Sequence, residues 1–130
     1  MDDFVTYDIA VKLKEKGFDK LCLLCYTDKQ KLVQNSVQST ICDAICINDI
    51  LNSYNRLKNN YTDVPTISQV LKWLREEKGL HIVIPACFNK NYWWEIRNFN
   101  RNLSEYSDAE YISYEKAALA GIEYTLNNLI

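Results

Sequence analysis

Five cysteines and a single histidine carry the most reactive chemistry in this chain. Cys22-x-x-Cys25 and Cys42-x-x-x-Cys46 have spacings that could supply four thiolates to a structural zinc. The surroundings argue otherwise. Cys22 and Cys25 sit in the apolar run Leu21-Cys22-Leu23-Leu24-Cys25-Tyr26, which reads as a strand, and residues three apart on a strand point to opposite faces. No Gly or turn residue stands between them to form a knuckle, so buried, hydrophobe-like thiols fit better than metal ligands. A redox pair is disfavoured by the same geometry, because such pairs open a helix. Nucleophilic catalysis would need a base beside a thiol or hydroxyl, with a third group to orient it. His81 with Cys87 is the one pairing to hand, and the sequence names no orienting partner. The carboxylates Glu76, Glu77, Asp108 and Glu110 fall at positions read as solvated. With three glycines and no phosphate-loop, nucleophile-elbow or dinucleotide pattern, the expectation is a non-enzymatic chain with no catalytic residue, no metal and no cofactor.

The aromatic residues offer more. Tyr92-Trp93-Trp94-Glu95-Ile96-Arg97 reads as a strand, and its alternation sets Tyr92, Trp94 and Ile96 on one face against Trp93, Glu95 and Arg97 on the other. If helices cover the first face, Trp93 is left on the second, flanked by charge. Such a surface suits a protein interface, self-association or base stacking. Tyr92, Trp93, Glu95 and Arg97 are therefore the candidate binding residues. The competing expectation is that the segment Ile41 to Lys58, or the connection before Ser113, covers Trp93. Trp73, flanked by Lys72 and Arg75, reads as a rim residue of the core.

These residues need elements to hold them. Thr6 caps a helix carrying Ile9, Ala10 and Leu13, which Gly17 ends. A strand over the Cys22 run and a second around Lys31 to Gln34 follow. Thr66 and Gln69 form a capping box for a second helix with Ile67, Val70, Leu71 and Leu74 on one side, which Gly79 ends. His81 to Phe88 is then a strand, Asn89-Lys90-Asn91 a turn and Tyr92 to Arg97 the return. Pro85 implies an edge or a bulge in the first of these. Ser113 caps a third helix, whose Ala117, Ala120 and Gly121 allow close packing on a sheet. Ile47, Ile50, Leu51, Tyr54 and Leu57 recur at helical spacing in between.

The fold class expected is α+β: a single domain over 1–130 in which pseudo-duplicated helix-strand-strand units form a mainly antiparallel four-stranded sheet with three or four helices. The first unit spans about 5–35, a variable insertion about 36–63, the second unit about 64–98 and the C-terminal helix about 113–129. A net charge of -2 with no polybasic stripe makes nucleic acid an unfavoured partner. An acidic start without an apolar leader, and no run near the ~20 residues that span a bilayer, point to a cytoplasmic chain with no membrane partner.

The blocks Thr6-Tyr7-Asp8-Ile9-Ala10, Leu13 to Asp19, Pro65-Thr66, Val70 to Glu77, His81-Ile82, Ser113 to Ala117 and Gly121 to Tyr124 occur in this order. In that arrangement the chain resembles a family of small uncharacterised proteins of gut Bacteroidales and their phages and mobile elements. The resemblance implies a bacterial or phage setting and brings no activity with it. The function expected is an interaction or small-ligand-binding module acting on a host component, counter-defence being one such action. A host protein, a small ligand or a second copy are the partners in view. The alternative is a single-stranded nucleic-acid-binding module using the aromatic strand 92–97.

Overall fold

The computed structural model describes residues 3–20, 22, 24–26, 32–34, 62–98 and 100–130. The chain divides into two compact units, Val5–Pro65 and Met1–Phe4 with Thr66–Ile130.

In the unit 5–65, α1 (Tyr7–Glu15) begins where the Thr6 hydroxyl accepts from the Ile9 amide at 3.4 Å, with Asp8 in the first turn. It ends in a Schellman arrangement: Phe18 N donates to Leu13 O (2.9 Å), Gly17 N donates to Lys14 O (3.2 Å), and Gly17 adopts φ +93°. The Phe18 ring returns to the core, where it is buried with Val5, Ile9, Ala10, Leu13, Cys22 and Val64. Strands β1 (Leu24–Tyr26), β2 (Leu32–Gln34) and β3 (Thr62–Val64) form an antiparallel sheet in the order β2-β1-β3, with α1 packed on β3.

In the other unit, α2 (Ile67–Glu77) carries the full capping box. Gln69 N donates to Thr66 Oγ1 at 3.1 Å and Thr66 N donates to Gln69 Oε1 at 2.8 Å. Gly79, at φ +68°, turns the chain out of the helix, and Leu80 N donates back to Leu74 O (3.0 Å). Strands β4 (His81–Val83), β5 (Glu95–Asn98) and β6 (Leu103–Tyr106) form a second antiparallel sheet in that order. Trp73 is buried with Ile67, Val70 and Leu74, while the Lys78 ammonium lies 5.4 Å from its ring centroid.

Pro85 explains why β4 is short. Pairing continues in step past Val83↔Glu95 as far as a bridge at Ala86↔Tyr92. Trp93 N donates to Pro85 O at 3.2 Å, but proline has no N–H to return the bond, so the ladder is interrupted between the two pairings. The expected turn follows: Cys87 N donates to Asn91 O (2.7 Å), and Lys90 takes φ +68°.

The C-terminal helix α3 (Tyr114–Asn128) is capped by the Ser113 hydroxyl, which accepts from Lys116 N at 3.1 Å. It lies on the β4-β5 face at a glycine. A Cβ on Gly121 would stand 3.1 Å from Trp94 Cβ and 3.3 Å from Ile82 Cγ2. Ala117, Ala118, Ile122, Thr125 and Leu126 are buried along the same helix, and the Thr125 hydroxyl is satisfied by the Gly121 carbonyl at 2.8 Å.

The α+β class holds, but the sheet differs from the four-stranded one expected from two hairpins. Two strands account for the difference. Thr62–Val64, placed at the end of the insertion, pairs with β1, and Leu103–Tyr106, read as connection, pairs with β5. Both are too short for a period-two signal, and their partners lie far away or across an Asn-rich turn. The topology also separates the two halves of the supposed duplication. The first strand after the helix is central in one sheet and at the edge of the other. The helix expected over Ile41 to Lys58 lies outside the described residues.

Gly121→Ala weighs two opposed effects. Alanine gains about 1 kcal/mol of helix propensity over glycine, whereas forcing a methyl into a filled contact costs about 1–3 kcal/mol. Trp94 is 6% exposed and the close atom is its Cβ, which cannot swing away, so the crowding wins. Urea unfolding of Gly121→Ala should show a net loss of stability, and Gly121→Leu a larger one.

Candidate functional site

The seat of α3 decides which side of the second sheet is covered. Ile82, Ile96 and Glu105 are cross-strand neighbours in one row, and Ile82 and Ile96 share the helix-covered face with Trp94. The opposite face carries the row Val83, Glu95, Tyr106 and the row His81, Arg97, Ser104. Trp93 lies one pleat further along. No described helix of this unit packs on that face.

Trp93, Glu95 and Arg97 come together there, as the alternation predicts. The Trp93 and Tyr106 rings meet edge to face, with centroids 6.3 Å apart and planes at 87°. Arg97 donates through Nε (2.9 Å) and Nη2 (2.7 Å) to Glu95 Oε1. An exposed pair of this kind adds little stability, but two bonds to one carboxylate oxygen tie the guanidinium to its neighbour on the same strand. Val83 is 47% and Tyr106 66% exposed, so apolar surface faces outward on both sides of the ion pair.

Tyr92 does not join them. Its side chain belongs to the covered side, where its ring meets Tyr114 edge to face at 6.2 Å. Its backbone exchanges two bonds with Tyr111, Tyr92 N to Tyr111 O at 2.8 Å and Tyr111 N to Tyr92 O at 2.6 Å. Tyr106 and Val83 take its place as neighbours of Trp93. Tyr106 escaped the sequence reading because its strand did. The turn chemistry ahead of it was the available signal: Asn98 Oδ1 accepts from Asn100 N (3.0 Å) and Arg101 N (3.2 Å), and Asn102 takes φ +53°.

On the covered side, the Tyr124 ring lies against Trp94, with centroids 4.9 Å apart and planes tilted by 35°. Its hydroxyl is hydrogen-bonded to Glu105, and that bond, ahead of burial and the Glu105 and Asp108 charges, raises the Tyr124 pKa. Glu105 Oε2 is buried without a hydrogen-bond partner.

Cys87 and His81 are six residues apart on an extended segment, roughly 20 Å, so the imidazole is not placed to act on the thiol. Cys87 faces Glu110 instead, which also accepts from Asn89 Nδ2 (3.0 Å) and Asn91 Nδ2 (3.4 Å). Desolvation, then the hydrogen bond to Glu110 and its charge, raise the Cys87 pKa, the opposite of what an attacking thiolate requires. The bonds from Asn89, Cys87 and Asn91 lower the Glu110 pKa, so this network is intact above the usual carboxylate range and is lost as pH falls through the depressed value. Cys22 is fully buried, with Sγ donating to Lys20 O at 3.4 Å. Among the described residues no three His, Cys, Asp or Glu side chains converge on a metal position. The Cys25 side chain, Cys42 and Cys46 lie outside the described residues. No described helix is long and apolar enough to cross a membrane.

Glu110→Gln removes the charge that opposes ionisation of Cys87. The pH profile of Cys87 alkylation, followed by peptide mass mapping, should move to lower pH in this variant, with faster labelling at any pH below the thiol's ordinary value.

No family model, curated protein or solved structure matches this chain in comparisons with known proteins.

Proposed function

We propose that this chain is a non-enzymatic protein-interaction module whose contact surface is the open face of the β4-β5-β6 sheet. The observation that carries this reading is the Trp93–Tyr106 pair, two large rings held edge to face on a sheet surface with no described helix of their unit over it. Aromatic rings fixed by cross-strand contact lose little entropy on binding, and Trp, Tyr and Arg are the side chains on which binding energy concentrates. The raised Cys87 pKa and its separation from His81 support a non-enzymatic role, because the thiol with the best claim to catalysis is held protonated. On the resemblance to small proteins of gut Bacteroidales and their phages, we take the partner to be a component of a bacterial host cell.

Single-stranded nucleic acid is the weaker reading. A base could stack on Trp93, but phosphate binding needs an excess of positive charge, and on this face the Glu95 carboxylate offsets Arg97.

Affinity capture from a bacterial lysate tests the proposal, with the purified partner then titrated directly. A bound protein should be kept by wild type and by Glu76→Ala, which alters an exposed position on α2, and lost with Trp93→Ala. Retention by Trp93→Ala would refute the assignment of the face. Salt-sensitive binding of an oligothymidylate, lost in the same variant, would install nucleic acid instead.

A further inference from the structure

The open face has properties that select its occupant, and the edges of the same sheet narrow the choice. An extended strand added to an edge is the usual alternative to packing on a face. Both edges here are guarded against it. β4 stops at Val83 because Pro85 breaks its ladder. On β6, Glu105 points inward from an edge strand and keeps one buried oxygen unpaired, a charge that resists flat stacking of another strand. Just beyond, Ser107 N still bonds to Trp94 O (3.0 Å), and pairing resumes only at Tyr111 with Tyr92. Residues 108–110 therefore bulge out opposite Trp93 alone. The adhesive surface left is the face.

That face is self-complementary. It carries one cation and one anion side by side, Arg97 with 48% and Glu95 with 15% of the side chain exposed, among the apolar Val83, Trp93 and Tyr106. A partner of one charge sign would meet repulsion from one of the two. A second copy turned by a two-fold rotation meets the pair in reverse, Arg97 to Glu95 and Glu95 to Arg97. Glu95 has the acceptor for this: Oε1 takes both bonds from its own Arg97, and no bond is made by Oε2 among the described residues.

We infer that two copies of this chain associate through this face in an isologous, sheet-on-sheet packing, with reciprocal Arg97–Glu95 pairs astride the two-fold axis and Val83, Trp93 and Tyr106 packing around them. The inference rests on the reading of this face as an interaction surface and names its occupant. Three strands ~4.8 Å apart, crossed by three rows ~6.8 Å apart, present on the order of 300 Å² in plan. A standard interface takes about 800 Å² from each partner, so the dimer is a weak one.

Sedimentation velocity of the full chain from 10 μM to 1 mM, magnitudes chosen on the order of weak association, tests this. The weight-average mass should rise with concentration from the 15.2 kDa monomer toward twice that value. Tyr106→Lys and Arg97→Glu should each weaken association at least about tenfold. An equimolar mixture of Arg97→Glu with Glu95→Arg should associate more tightly than either alone, because every cross-dimer contact then joins opposite charges. Circular dichroism confirms that each variant is folded, and the mixing step reads the contact even if one variant is destabilised. A monomer at 1 mM overturns the inference. So does association that Arg97→Glu leaves unchanged and Glu105→Val strengthens, which would place the contact at the β6 edge. A monomer that still loses partner capture on Trp93→Ala refutes the dimer and leaves the proposed function standing; a monomer with no capture refutes both.

Discussion

The close approach of Gly121 to Trp94 is the contact on which the second unit's surface depends. Only a residue without a side chain lets the α3 backbone come within 3.1 Å, at the Cβ position, of the Trp94 side chain. Seating the helix there buries Trp94 and Ile96 and, by the pleat, turns Trp93, Glu95 and Arg97 to the other side. Stability and surface chemistry are thus set by one packing decision, since hydrophobic burial on one face leaves the alternate residues to solvent.

The covered side is not purely apolar. Glu105 reaches it from the edge strand and is held by the hydroxyl of Tyr124, whose ring in turn lies against Trp94. A half-satisfied buried carboxylate costs stability. Its position on an edge strand gives that cost a physical purpose, because an inward charge opposes the addition of another strand. The 108–110 bulge works in the same direction. The sheet is closed at its margins by chemistry and open on its face.

The hairpin tip follows a separate logic. Asn89 and Asn91 gather Glu110 into one network, and Cys87 is drawn into it as a hydrogen-bonded thiol. Phe88 stands fully exposed beside this turn. A carboxylate at a thiol is the reverse of the electropositive setting that creates a reactive cysteine, so this cluster reads as a structural clasp between the hairpin and the segment before α3.

Local signals determined the three described helices, because capping and termination need only neighbours: Thr6, Thr66 with Gln69, and Ser113 begin them, and Gly17 and Gly79 turn the chain out of the first two. The alternation of Trp93, Glu95 and Arg97 against Trp94 and Ile96 was equally legible, since it is a property of one strand. Sheet order was not, because the pairings of Thr62–Val64 with β1 and of Leu103–Tyr106 with β5 join segments by cross-strand burial that no short window records. For the same reason only the tertiary structure could bring Tyr106 to Trp93, pair Tyr92 with Tyr114, and set Glu110 rather than His81 beside Cys87. The sequence by itself specified which side chains could form a surface; the burial of the opposite face under α3 decided which of them do.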